Sequence, residues 1–295
     1  MVIDQTPKAD VIFKVLFGDQ KHPRILIHLL NSVLKPKDPI THVEIKQTEL
    51  SPEYVAQKGV RLDILATTST GEIINVEMQK KDEHNIKNRT LYHWSKLFCG
   101  QLIAGDNYQQ LCRTICINIL NFNDFNDEDF WHIEDISDRK THKQFTDLFE
   151  LHFLEIPKIR RKQKKDIVQD PIMFWLEFID NPNSEKIQDM IKKELVYQEA
   201  KDVYEKCIAD PEVQEMLRVK EKAELDYNSA LSYAESRGKT EGLVEGEKVG
   251  LEKGLVEGEK KAKIESARKM LIKGLDIADI VEFTGLSIEE VEKLR

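Results

Sequence analysis

The sequence predicts an α/β core, a small mixed sheet flanked by helices, followed by a mainly helical C-terminal region. Three observations carry that prediction. Short apolar runs with strand character fall at 41–48, on both sides of the turn TTSTGE, at 114–121 and at 151–156, and helical stretches are interleaved with them. From Asp170 onward only helical spacing remains, with Ile172, Phe174, Trp175 and Phe178 leading into long charged segments. A ladder of glycines at 238, 242, 246, 250, 254 and 258 then sets the last part of the chain apart. The expected division is a core at 1–165, a helical region at 166–236, a glycine-every-four charged helix or linker at 237–263, and a small helical module at 264–295.

The first elements are a short helix over Asp10–Phe17 and a second, buried helix over Pro23–Leu34. The hairpin RLDILA–TTSTGE–IINVEMQ follows. If Ala66 faces Ile74 across its turn, Asp63 lies opposite Glu77. Facing residues of an antiparallel pair project to the same side with Cβ atoms roughly 5 Å apart. Side chains alternate along a strand, so Asn75 and Gln79 share that side. Leu62, Ile64, Ala66, Ile74, Val76 and Met78 point the other way, toward the core. Two carboxylates and an amide thus gather at one spot. The cluster reads either as the polar side of an amphipathic hairpin or as a site for a hard divalent cation, which takes oxygen ligands.

The next helix places Arg89, Tyr92, His93 and Lys96 on one face at i, i+3, i+4 and i+7, with Leu91, Trp94, Leu97 and Phe98 as the opposing apolar stripe. A basic run, Lys158, Arg160, Arg161, Lys162, Lys164 and Lys165, reads either as a solvated loop or as a contact for backbone phosphate. Residues 183–236 predict two long helices parted near Asp210-Pro211. A helical glycine costs about 1 kcal/mol relative to alanine, so the ladder invites a reason. It is either a self-association helix or a frayed charged linker. The last module predicts two short helices around a Gly285 turn, with Ser287 and Glu290 spaced as a capping box. Its outline resembles a helix-turn-helix. Because its second helix is rich in glutamate, the sequence favours a packing or oligomer contact over DNA reading, and a homo-oligomer through the C-terminal helices.

The chain of 295 residues carries a net charge of −9, unevenly spread. Residues 1–100 hold 14 Lys and Arg against 12 Asp and Glu, a net of +2, and residues 200–295 hold 17 against 22, a net of −5. An acidic chain is no general nucleic-acid coat, and its candidate chemistry lies in its least acidic part. Cys99, Cys112, Cys116 and Cys207 show no metal-ligand spacing, which fits reduced thiols. No phosphate loop, paired-histidine ligand set or Ser or Cys nucleophile motif is present. No signal-peptide pattern or membrane-length apolar run appears, so the expected setting is cytoplasmic, with no membrane partner.

The order of these motifs resembles the PD-(D/E)XK nuclease fold, and within it the Rpn-type recombination-promoting nucleases, often described as transposases. That family opens with D-x-x-F-K-x-L-F, here Asp10, Phe13, Lys14, Leu16 and Phe17. The hairpin, the helix with Asn88, Arg89, Tyr92, Trp94 and Lys96, and the run Gly105, Tyr108, Leu111 follow in the family's order. The resemblance covers residues 1 to about 260 and is strongest over 8–121.

It implies a restriction-endonuclease-like core and metal-dependent hydrolysis of DNA phosphodiester bonds, linked to recombination or defence against mobile elements. Asp63, Glu77 and the Met78 carbonyl would hold Mg²⁺, with Mn²⁺ as the other candidate. The fold's name asks for a lysine where this chain has Gln79, a neutral amide that can orient a water but not act as a base. Lys81 is the substitute cation if the strand continues. Asp10 is either an acid near the metal or a helix N-terminal charge. Arg89, Lys96, Arg160 and Arg161 are candidate phosphate contacts, and Tyr92 a nucleotide contact. The alternative is an inactive nucleic-acid-binding or scaffold protein on a nuclease fold.

Overall fold

The computed structural model describes residues 4–46 and 63–295. Arg61 and Leu62, and the end of the strand expected at 41–48, lie outside the described residues. The chain divides into two compact units, Met1–Glu221 and Lys222–Arg295.

The first unit is built on a six-stranded mixed sheet in the order β1-β2-β3-β4-β6-β5. The strands are β1 (Val43–Lys46), β2 (Ile64–Thr68), β3 (Ile73–Gln79), β4 (Thr114–Leu120), β5 (Trp131–Glu134) and β6 (Phe149–Glu155). β3, β4 and β6 run parallel, and β1, β2 and β5 pair antiparallel. Every residue of β4 is buried, as expected of a central parallel strand covered on both faces. The β2–β3 hairpin takes the register its apolar alternation predicts, with Ala66 opposite Ile74. Its turn uses Gly71 at φ +87°, and a Cβ there would meet Cys112 Sγ at 3.0 Å. The short edge strand β5 has no counterpart in the sequence reading.

One face of the sheet carries Ile64, Ala66, Ile74, Val76, Met78, Ile115, Ile117, Ile119 and Leu154 into the main core. That core also takes up α1 (Asp10–Gly18), α2 (Pro23–Leu34), α6 (Pro171–Asp180) and α8 (Leu195–Ala209), through Phe13, Phe17, Leu26, Leu29, Phe174, Trp175 and Tyr197 among others. The other face lies under α3 (Ile86–Cys99), where Ile86, Cys116, Leu120, Phe149, Leu151 and Phe153 form a second apolar cluster. Three short helices, α4 (Ile156–Ile159), α5 (Lys164–Gln169) and α7 (Gln188–Lys193), complete the connections, so Lys158, Lys164 and Lys165 of the basic run are helical and Arg160, Arg161 and Lys162 lie between helices.

The helix α9 (Pro211–Ile272) contains all six glycines of the ladder, and a Cβ at any of them would meet nothing within 4 Å. In the second unit its end packs with α10 (Ile277–Thr284) and α11 (Ile288–Glu292) around Ala267, Ile280, Leu286 and Val291. Gly285 closes α10 at φ +68°, and the Ser287–Glu290 capping box forms in both directions, at 3.2 and 3.0 Å. No helix among the described residues is long and apolar enough to cross a membrane.

Candidate active site

Alternation on β3 sends Ile74, Val76 and Met78 to the main core and turns Asn75, Glu77 and Gln79 toward α3. Glu77 is 2% exposed and lies beside Asn118 of β4. A buried carboxylate needs partners. Its Oε1 accepts from Asn75 Nδ2 at 3.2 Å and has His93 Nδ1 at 3.4 Å. Its Oε2 accepts from Gln79 Nε2 at 3.1 Å and has Arg89 Nη2 at 3.5 Å. Gln79 thus orients the acid two residues before it.

Asp63 sits immediately before β2, and its Oδ2 accepts the Met78 backbone N–H at 2.8 Å. The Gln79 carbonyl accepts from Asn121 N at 2.9 Å on the β4 side. Successive residues of a strand alternate, so the Met78 N–H and carbonyl both point to the Asp63 side. Burial first, and then the charge of Glu77, push the Asp63 carboxyl up to about 7, against the opposing pull of the Met78 N–H. The same carboxylate charge, after burial, helps to raise the Cys116 thiol.

A third group of charges comes from α1. Lys14 Nζ lies 3.6 Å from Asp63 Oδ1 and 3.1 Å from Asp10 Oδ1, and Lys220 at the start of α9 pairs with the other oxygen of Asp10. Burial pushes the Asp10 carboxyl up, but its pairing with Lys220 and Lys14 outweighs it and holds the group below its ordinary value. Asp10 therefore stands as a counter-ion to two lysines as well as a charge in the first turn of α1.

Several sequence expectations change here. The buried face of α3 is Ile86, Thr90, His93 and Leu97, while Leu91 is 48% exposed. The reason is the polar floor beneath it. Thr90 Oγ1 donates to Asn118 Oδ1 at 2.9 Å and His93 approaches Glu77, so the helix presents polar groups where an all-apolar stripe was expected. Arg89 turns toward Glu77, and Tyr92 keeps an exposed position with Lys96 Nζ 5.5 Å from its ring centre. β3 ends at Gln79, so the alternation that would put Lys81 on the Glu77 face does not extend to it. Lys81 is exposed on the following loop, and Lys80 pairs with Asp4 at 2.9 Å. Arg160 is engaged by Asp180 at 2.8 and 2.9 Å and by Asn121 Oδ1 at 2.6 Å, whereas Arg161 is exposed. Lys14, from the opening motif, and His93, from the polar face of α3, enter the site although the sequence gave neither a role there, and Lys220 enters unannounced. Lys14 carried a signal, its i, i+4 spacing from Asp10.

A family model described as PD-(D/E)XK nuclease family transposase matches residues 7–234. The chain belongs to that family. A second model, the C-terminal HTH domain of the Rpn/YhgA-like nuclease family, matches residues 260–295. The helix-turn-helix outline of α10 and α11 therefore has a family basis, and it shifts the weight for this module from the packing contact expected above toward nucleic acid. No curated protein and no solved structure matches the chain.

Nucleases of the PD-(D/E)XK type generally use divalent metal ions, and the residues present fit one. Two carboxylates and a backbone carbonyl are hard oxygen donors. Each Glu77 oxygen accepts one hydrogen bond, and its second neighbour, His93 at 3.4 Å or Arg89 at 3.5 Å, stands beyond the usual hydrogen-bond distance. Asn75 Oδ1, buried beside Glu77, has no hydrogen-bond partner. Burial first and the Glu77 charge second raise the Asp63 carboxyl, and a cation beside it would oppose both. Among the described residues no group of three or more His, Cys, Asp and Glu side chains is set to hold a metal, so the ligand set is limited to this smaller one.

Proposed function

We propose that this chain is a metal-dependent DNA endonuclease that hydrolyses phosphodiester bonds in the service of recombination or of mobile-element and defence biology. The observation that carries the reading is the juxtaposition of Asp63 and Glu77 at the carboxyl end of β3, where the parallel strands of an open sheet offer their binding edge. Asp63, Glu77 and the Met78 carbonyl are the ligands for Mg²⁺, with Mn²⁺ a chemically similar occupant. A divalent cation bound there supplies a Lewis acid for a phosphoryl oxygen and lowers the pKa of a coordinated water.

The protein's own groups then have separate tasks. The Met78 N–H fixes the rotation of the Asp63 carboxylate, and Gln79 and Asn75 fix that of Glu77. Asp63 must give up its proton to act as a ligand, so proton and cation compete for it and metal affinity rises with pH toward about 7. Tyr92 and Lys96 lie on the helix that covers the site and are suited to hold a nucleotide face and the DNA backbone, while Arg89 is turned toward Glu77. The HTH domain supports DNA as the partner of the C-terminal unit as well. Its α11 carries Glu289, Glu290 and Glu292, so DNA contact from that unit falls to other residues of the module.

The test is incubation of supercoiled plasmid with purified protein, with and without Mg²⁺, beside Asp63→Ala. Nicking or linearisation that requires both the ion and Asp63 is the expected result. Folded protein that cleaves nothing across a range of Mg²⁺ and Mn²⁺ would favour the non-catalytic binding role.

A further inference from the structure

Lys14, a residue of the opening motif, stands beside Asp63, whereas the sequence expectation gave the substitute cation's place to Lys81. It projects from α1, which is anchored on the core by Ile12, Phe13, Leu16 and Phe17, all at most 1% exposed. A helix fixed in this way delivers its polar face to a defined spot. The Lys14 side chain is 26% exposed, so it is neither sequestered nor fully solvated. Its 3.6 Å approach to Asp63 Oδ1 is too long for a hydrogen bond, and the pair is held by charge alone. An ammonium has three donors, and Asp10 at 3.1 Å can take only some of them. Lys220, Asp10, Lys14 and Asp63 form a chain of alternating charge that ends at the candidate metal ligand.

The neighbouring cations have other commitments. Arg89 is set against Glu77, Lys80 against Asp4, and Lys81 lies beyond the end of β3. We propose that Lys14 is the working cation of the cleavage site, its ammonium meeting the scissile phosphate beside Asp63, with Asp10 and Lys220 as the positioning pair that holds it there. Charge develops on the phosphoryl oxygens during hydrolysis, and a fixed ammonium stabilises it most where water is partly excluded. The strand position filled by the neutral Gln79 then needs no lysine, because the cation arrives from α1. This inference rests on the nuclease reading above.

The experiment compares wild-type protein with Lys14→Ala, Lys14→Gln and Lys14→Arg in three measurements: plasmid cleavage under saturating Mg²⁺, Mn²⁺ affinity in the absence of DNA, and thermal melting. In Lys14→Ala and Lys14→Gln the cleavage rate should fall by about 100-fold or more while KM for DNA stays within about threefold. Mn²⁺ affinity should hold or tighten, because a positive charge has been removed next to a ligand. Lys14→Arg should retain at least about tenfold more activity than Lys14→Gln, since it keeps the charge. Cleavage within about threefold of wild type in Lys14→Gln overturns the proposal. So does a loss of cleavage matched by a loss of Mn²⁺ affinity, or failure of both Ala and Gln variants to fold, because either makes Lys14 a support for Asp63 alone. Wild-type protein that binds Mn²⁺ and cleaves nothing overturns the nuclease reading itself, and this proposal with it, an outcome distinct from the others.

Discussion

Two charged regions of the first unit are built on opposite principles. Between Glu155 and Lys164 three cations are matched to acids. Lys158 pairs with the fully buried Glu155 at 2.5 Å and with Asp127 at 3.2 Å, Arg160 with Asp180, and Lys164 with Asp189 at 2.7 Å. Burial pulls the Lys158 ammonium down, and its hydrogen bonds to Glu155 and Asp127 outweigh that pull. At the β2–β3 hairpin, by contrast, burial first and the charge of Glu77 second push the Asp63 carboxyl up to about 7, although Lys14 stands 3.6 Å away. The first arrangement holds a structure together. The second leaves a carboxyl raised by burial and by a like charge, the kind of perturbed group that gathers at functional sites.

The contrast can be broken in four places, and the largest effect belongs to the hairpin's chemistry. Glu77→Gln keeps the volume and removes the ligand charge. Cleavage in Mg²⁺ should fall by about 10³-fold or more, equivalent to several kcal/mol of transition-state stabilisation. A variant as active as wild type would remove Glu77 from the site.

Next comes the matched region. Lys158→Ala leaves Glu155 buried with its charge uncompensated, and urea unfolding should show a loss of about 3 kcal/mol. A change under about 0.5 kcal/mol would mean that the backbone N–H groups of Asp124 and Phe125, which also donate to Glu155, suffice.

The hairpin should respond with the opposite sign. An acid whose folded-state value is raised binds more protons folded than unfolded, so stability is lost as pH climbs from about 4 to about 7. Asp63→Asn removes that loss while keeping an acceptor for Met78 N–H. The metal-free variant should therefore be more stable than wild type at pH 8 by about 1–3 kcal/mol, with the gain shrinking toward pH 5. Equal stability at both values, read from parallel urea titrations, would deny that the carboxyl is raised.

The smallest effect separates neighbours in the basic run. Arg161 is exposed, whereas Arg160 is held by Asp180 and Asn121. If Arg161 contacts DNA, Arg161→Ala should lower the salt dependence of binding by about one phosphate contact. An unchanged slope, measured by fluorescence anisotropy over a salt series, would leave the run with a structural role only.

The sequence made the hairpin legible because strand alternation is a local rule. Apolar residues at Ile64, Ala66, Ile74 and Val76 dictate the register and thereby the company of Asp63 and Glu77. The helix boundary at Pro23–Leu34 and the Ser287 cap were local in the same way. What escaped depends on contacts distant along the chain. Lys14 reaches Asp63 only because α1 docks on the core next to β2. The acids that neutralise Arg160 and Lys164 come from Asp180 and Asp189, so part of a run that looked free in sequence is paired in space. The buried face of α3 was misjudged because its floor, Asn75, Glu77 and Asn118, is polar, and a helix above such a floor turns Thr90 and His93 inward. Lys81 was placed by a strand that stops two residues earlier.

The central claim is that Asp63 and Glu77 together form a cation site. Calorimetric titration of Mn²⁺ into DNA-free protein at pH 8, beside Asp63→Ala, tests it most directly. The account predicts saturable binding to the wild-type protein that is weakened by about tenfold or more in the folded variant. Equal binding to both proteins, or none to the wild type, would contradict it.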